Sequence, residues 1–229
     1  MQIKNKIILI VIFFLSLVIL NFDLQAEEFN ISAKEISIDK KNNIVVGQGS
    51  VEATDSEGKI IKAHKITYEK SREFLLAEGS VEVTDNEGNV LLTDKATYDK
   101  FNELITTYSN SEFTIKEGYK VLSSNILYNT KEKIISSDNN SIFTDIDGNV
   151  VSVSMFQYQI KNNLFSSIGK IKITDINNNK YFFEELHVDT EKQEMIGSDV
   201  SVVLDQESFG VKKENDPRFV ANDIFMSKN

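Results

Sequence analysis

The apolar positions of this chain fall into a register that repeats every thirty residues. One phase carries Ile31, Ile61, Leu91, Val121, Val151 and Tyr181, and two residues on come Ala33, Ala63, Thr93, Ser123, Val153 and Phe183. Five residues on lie Ile36, Ile66, Ala96, Ile126, Phe156 and Leu186, and seven on lie Ile38, Tyr68, Tyr98, Tyr128, Tyr158 and Val188. The other half of the unit holds Val45, Leu75, Ile105, Ile135, Phe165 and Met195, then Ala53, Val83, Phe113, Phe143 and Ile173. The stretch GSVEATDSEGK at 49–59 returns as GSVEVTDNEGN at 79–89. Six units run from about 31 to 210 without an insertion.

Within a unit the pattern alternates, as in Val81-Glu82-Val83-Thr84, which predicts a half-buried strand of period two. The segments DSEG, DNEG, IKEG, DIDG and DINN follow, starting at 55 and every thirty residues after. Asp at the first place and Gly at the last suit a type I turn, in which the carboxylate bonds the backbone ahead of it. A second strand ends near the tyrosine, and the polar loops EKSRE, DKFNE, NTKEK and QIKNN turn the chain again. No apolar stripe of helical spacing extends past two turns, and β-branched residues crowd the strand positions. In the second strand the apolar marks sit at 61, 63, 66 and 68, so the parity flips between Ala63 and Ile66. A bulge within 61–68 returns both to one face, and a bulge recurring in every unit bends the sheet. The expected fold is all-β: an antiparallel β-jelly roll or curved sandwich of about six thirty-residue, two-strand repeats.

Composition narrows the function. The 229 residues carry a net charge of -10, which disfavours phosphate backbones and makes nucleic acid an unexpected partner. No cysteine is present, so no disulfide framework, thiolate metal site or cysteine nucleophile is expected. Lys4 and Lys6 precede the apolar run IILIVIFFLSLVIL at 7–20, and LQA ends at Ala26. This reads as a secretory signal over 1–26; an uncleaved anchor helix is the alternative, although a spanning helix wants about 20 apolar residues. Domain limits follow: 1–26 signal, 27–210 repeat domain, 211–229 tail.

Candidate chemistry is sparse. His64 and His187 occupy different phases of the repeat and read as solvent-facing strand residues. DIDGN at 145–149 resembles the start of a calcium loop, but the twelfth place of such a loop needs a carboxylate and is Phe156 here. No carboxylate sits at an apolar phase, where burial raises a pKa for acid–base work. No GxSxG elbow appears. The tyrosines at 68, 98, 128 and 158 read as an aromatic rib within the sheet. Neither enzyme activity nor a cofactor nor a metal is expected.

The repeat G-x-V-x-[AV]-T-D-x-E-G followed by A-x-x-x-x-Y-[DE]-K resembles the OstA-like β-jelly-roll family of lipopolysaccharide transport. That family includes periplasmic bridges of the LptA type, anchored LptC-type proteins and the N-terminal domains of LptD-type outer-membrane proteins. The resemblance covers about 31–210. The tail FGVKKENDPRFVANDIF at 209–225 is similar to the passage from jelly roll to barrel in the LptD type and favours that branch. Only 19 residues follow position 210, too few for a barrel, so the chain is either a piece of such a protein or a stand-alone jelly roll.

The resemblance implies a periplasmic, outer-membrane-associated protein that carries lipopolysaccharide, its acyl chains running along an apolar groove. The implied lining is Val51, Ala53, Ile61, Ala63, Ile66, Val81, Val83, Leu91, Ala96, Phe113, Val121 and Ile126, then Phe143, Val151, Val153, Phe156, Ile171, Ile173, Phe183 and Leu186. From the residues alone a closed structural core needs the same inward set, as in a surface or adhesive repeat protein. The first strand, 29–39, keeps Ile31, Ala33, Ile36 and Ile38 in phase and contains no proline, so it suits pairing with another LptA-like jelly roll. An outer-membrane lipoprotein or barrel partner is implied if the LptD branch applies.

Overall fold

The computed structural model describes residues 29–205 and 217–227, so the expected signal over 1–26 and positions 211–216 of the tail lie outside the described residues. The described chain is antiparallel β-sheet. It begins with β1 (Asn30–Ser32), β2 (Glu35–Asp39), β3 (Ile44–Thr54), β4 (Ile60–Glu69), β5 (Phe74–Thr84) and β6 (Val90–Asp99). The middle passes are split in two: β7 (Leu104–Thr107) with β8 (Ser111–Thr114), β9 (Lys120–Ser123) with β10 (Leu127–Asn129), β11 (Ile134–Ser137) with β12 (Ser141–Thr144), and β13 (Val150–Val153) with β14 (Phe156–Gln159). Unbroken strands return with β15 (Leu164–Thr174), β16 (Lys180–Asp189), β17 (Glu194–Val203) and β18 (Arg218–Ser227). Each pass pairs with the next in sequence, the meander that short turns dictate.

Each pass is folded at its middle. In β3 the bend is Gly49 at φ 79° and Ser50 at φ 51°; in β5 it is Gly79 at 81° and Ser80 at 49°. Two such left-handed residues in succession break the pleat and turn the strand onto a second plane. The sheet therefore doubles into two facing halves. The Asp-turn half contains 51–54, 60–63 and their equivalents; the loop half contains 44–48, 65–69 and theirs. Inner side chains of the two halves meet, as where Phe113 packs edge-on against Tyr128 with ring centroids 5.0 Å apart.

The register shift falls where the hydrophobic pattern puts it, between Lys62 and Lys65. The extra residue, however, lies on the glycine strand and not within 61–68: Gln48 faces Lys65 and Val51 faces Ala63, so Gly49 and Ser50 together oppose His64. Ala63 and Ile66 are both buried, as are Thr93 and Ala96, Ser123 and Ile126, Val153 and Phe156, and Phe183 and Leu186. The first unit departs. Ile36 is 47% and Ile38 61% exposed, because among the described residues no strand lies beyond β2 to cover them.

Where the bend lacks glycine, at 109–110 and 139–140, the strand breaks and buried hydroxyls take over. Thr93 Oγ1 lies 2.9 Å from Ser109 Oγ and accepts from Ser111 Oγ at 3.0 Å. Ser123 Oγ lies 2.9 Å from Ser137 Oγ and accepts from Ser141 Oγ at 3.0 Å. Buried polar groups at a broken ladder need such partners. The tail also differs from the expected repeat limit. Residues 218–227 form β18, which pairs along β17 from Glu194↔Ser227 to Val203↔Arg218.

The bend makes a direct prediction. A Cβ at Gly79 meets His64 Nδ1 at 2.8 Å and His64 Cβ at 3.1 Å, whereas one at Gly58, also at positive φ, meets only Asn86 Cβ at 3.9 Å. Gly58→Ala should cost about 1–2 kcal/mol from its left-handed backbone alone. Gly79→Ala should cost more, because His64 has to move as well. Urea midpoints at unchanged m-value test the order, and a smaller loss at Gly79 would contradict a tight bend.

Candidate functional site: a cavity at the unclosed seam

Folding the sheet in two brings its two rows of turns face to face, and the seam between them decides whether the interior is open. The Asp-turn row is built alike in four units. Asp55 Oδ1 accepts from the amides of Glu57 and Lys59, both at 2.9 Å, and Asp85, Asp145 and Asp175 repeat this with their own followers. The DIDG segment is thus a turn held by its own aspartate. At the third unit the position is Ile115.

Two charged rungs cross the seam in the N-terminal part. Lys59 Nζ lies 3.2 Å from Asp55 Oδ2 and 3.3 Å from Glu103 Oε2, and it also pairs with Glu57. Glu103 Oε2 accepts from Tyr98 OH at 2.6 Å and from Thr130 Oγ1 at 2.7 Å. Thirty residues on, Lys133 Nζ lies 3.2 Å from Asp85 Oδ2 and 3.4 Å from Glu87 Oε1, while Tyr128 OH donates to Asp85 Oδ2 at 2.5 Å. Before the first rung, Phe29 packs edge-on against Tyr68 and Tyr98, with centroids 5.0 and 5.8 Å apart. The tyrosine rib is therefore buried, with phenylalanine partners for the rings of Tyr68, Tyr98 and Tyr128 and carboxylate partners for two of its hydroxyls.

The rungs shift the titration of their members. Burial raises the pKa of Glu103 and of Asp85, but hydrogen bonds from Tyr98 and Thr130 in the first case, from Tyr128 and Asn89 in the second, and the facing lysines outweigh it; both carboxyls end below their ordinary values. Burial lowers the Lys59 pKa, but Glu57, Asp55 and Glu103 bring it above the ordinary value.

From the third rung on, no ion pair among the described residues crosses the seam. Asn163 stands where Glu103 and Lys133 stood, opposite Ile115, and Gln193 stands opposite Asp145. Tyr158 OH reaches only Thr190 Oγ1, at 3.2 Å. Here the halves enclose a cavity of about 590 Å³. Ile115, Tyr119, Phe143, Val151, Tyr158, Phe165, Ile173, Tyr181, Leu186, Val188 and Met195 form its wall. Asp145, Ile146, Asp147, Asp175, Glu194 and Met226 reach its edge. Ile146 and Ile176, on adjoining turn tips, are 64% and 68% exposed. The volume is in the range of small-ligand sites, ~300–1,000 Å³.

Of the groove residues expected from the sequence, Phe143, Val151, Ile173 and Leu186 border this cavity. Val51, Ala53, Ile61, Ala63, Ile66, Val81, Val83, Leu91, Ala96, Phe113, Val121 and Ile126 are fully packed in the interior of the N-terminal part. Val153, Phe156, Ile171 and Phe183 are buried farther along. Phe165, Tyr181, Val188 and Met195 were visible as repeat positions but not as cavity wall, and Ile115 and Tyr119 sit in a turn with no apolar phase to mark them. Of the edge residues, Ile31 and Ala33 pack against the core, while Ile36 and Ile38 stand in solvent. His64 and His187 are exposed, and His187 Nε2 lies 2.9 Å from Glu185 Oε1.

No protein-family model matches the chain, and no curated protein sequence does. Two solved structures are similar in outline. One is LptH of Pseudomonas aeruginosa, described as the LptA-homologous periplasmic component of the lipopolysaccharide transport device. It has 13% identity over 85% of this chain and 96% of that one, with a TM-score of 0.24. The other is the G-box domain of the microcephaly protein CPAP, at 10% identity over 82% and 97%, with a TM-score of 0.20. At these identities and scores neither likeness assigns the chain to a family.

The first rung should be testable by stability. Lys59→Met leaves Asp55 and Glu103 facing each other without a cation and should cost about 3 kcal/mol. Glu103 has a depressed folded pKa, so its contribution is present above the ordinary 4.5 and is lost as pH falls through the lower folded value. The difference in melting temperature between wild type and Lys59→Met should therefore narrow below about pH 4. A difference constant through that window would show that the rung's charge is not what Lys59 supplies.

Proposed function

We propose that this chain is a non-enzymatic periplasmic carrier in lipopolysaccharide transport, holding acyl chains between the halves of a doubled β-sheet. The carrying observation is the apolar cavity at the seam, about 590 Å³ in volume, in the part of the fold that lacks charged rungs. Each methylene moved from water into it contributes ~0.8 kcal/mol. The repeat's resemblance to OstA-like jelly rolls supports lipopolysaccharide as the cargo. A bridge component of the LptA type is the preferred form, since β18 continues the sheet from β17 and leaves a strand at each end for pairing. The N-terminal domain of an LptD-type protein is the second reading, carried by the tail's resemblance.

Edge pairing is part of the proposal. Ile36 and Ile38 on β2, and Phe219, Val220 and Phe225 on β18, are exposed apolar residues on the two end strands. A neighbouring jelly roll added at either end satisfies the open backbone groups and covers them.

A photocrosslinking side chain at Phe143 should capture lipopolysaccharide in producing cells, while one at neighbouring Ile142, which is 44% exposed, should not. Equal capture at both positions would indicate surface contact and defeat the carrier reading. Glu35→Pro, on the open edge, should abolish crosslinks to a partner jelly roll without lowering the melting temperature by more than a few degrees. Partner crosslinks that persist would refute the edge joint.

A further inference from the structure

The four turn aspartates differ in what faces them. Asp55 and Asp85 each receive a lysine ammonium at 3.2 Å, from Lys59 and Lys133. Asp145 and Asp175 occupy the same place in the repeat, and their carboxylates accept from Asn149 and Asn179 side chains of their own turns. Among the described residues neither has a cation partner, and the cavity lining adds Asp147 and Glu194. No lysine, arginine or histidine is among the residues lining the cavity. The negative field acts on a neutral neighbour as well. Burial and then the carboxylates of Asp145, Asp147 and Glu117 raise the pKa of the Tyr119 phenol in the cavity wall.

We infer that the cavity takes an alkyl chain whose head group at the mouth is cationic, an amine supplying the charge that Lys59 and Lys133 supply at the closed rungs. An anionic head such as a phosphate is disfavoured there, because it adds a like charge to a cavity lining that holds four carboxylates and, among the described residues, no lysine, arginine or histidine. The inference rests on the carrier reading and narrows it: among lipids of the transported class, the forms bearing amines near their acyl chains are the ones this mouth accepts. Apolar turn tips at Ile146 and Ile176 give the chain a surface to enter over, and the acidic edge then selects the head.

The test uses three amphiphiles of one chain length, decylammonium, decyl glucoside and decyl phosphate, titrated calorimetrically below their micellar concentrations. Decylammonium should bind about tenfold or more tightly than decyl phosphate, with the glucoside between, and added salt should compress the series. Asp147→Asn with Glu194→Gln removes two mouth charges that make no side-chain hydrogen bonds among the described residues, and the melting temperature should stay within a few degrees of wild type. In that variant the ammonium-to-phosphate ratio should fall several-fold, while glucoside binding stays constant. Decyl phosphate binding as well as or better than decylammonium would overturn the inference and leave the carrier reading intact. Failure of all three to bind would overturn the cavity itself, and with it both readings.

Discussion

Every long strand of this protein is folded once at its middle, and that fold is the constraint on which the rest depends. A flat sheet with these inward residues would expose one face of Ile61, Ala63 and their equivalents to water. In β3 and β5 two left-handed residues opposite one, as at Gly49 and Ser50 against His64, turn the pass so that both halves present their apolar side inward. One event then explains the shared interior, the odd separation of Ala63 and Ile66, and the two rows of turns that face each other. At three of the bends where the strand continues the left-handed place is a glycine, at Gly49, Gly79 and Gly169, and in β17 it is Asp199. Where Ser109-Asn110 and Asn139-Asn140 stand at the bend, the ladder stops and hydroxyls bond across the gap.

Once the turns face each other, the seam becomes a question of electrostatics. Closing it buries charge, which is unfavourable unless cation and carboxylate meet with their hydrogen bonds filled. The rung at Lys133 meets that condition, with the Tyr128 hydroxyl and the Asn89 amide completing Asp85; at Lys59 the hydroxyls of Tyr98 and Thr130 complete Glu103, while Asp55 Oδ2 is buried with only the Lys59 ammonium beside it. Replacing Asp by Ile at 115 and the loop charge by Asn at 163 removes the means of closure at one step of the repeat. The cavity begins there.

Much of this was legible from the order of residues and some was not. The strands and the inward set followed from alternation, because a side chain's face in a strand depends only on parity. The bend was legible as a parity flip, though its extra residue was placed on the wrong strand; the pattern of apolar residues does not say which of two paired strands yields. The rungs were hidden because Lys59 and Glu103 are 44 positions apart in sequence and belong to different phases of the unit. Solvation hid the ends: Ile36 and Ile38 keep the phase, yet nothing described lies beyond β2 to cover them. β18 was hidden likewise, since it lies beyond the repeat in sequence and most of its side chains are exposed.

Repeat architecture lets one chain hold both conditions. Each unit contacts mainly its sequence neighbours, so stability is close to a sum over units and their junctions. The N-terminal units, with filled interior and two charged rungs, can supply the folding free energy that an open seam forgoes. The C-terminal units can then keep void volume without unfolding the domain, although an unfilled apolar cavity weakens a core in proportion to its size. A continuous trough through all six units would place that loss on every junction at once. Confining the opening to the units after Ile115 keeps a filled half beside an open one, and Ile115 and Tyr119 are where the cavity wall begins along the sequence. In the carrier reading, an acyl chain that passes farther toward the N-terminal end has to open the Asp85–Lys133 rung first.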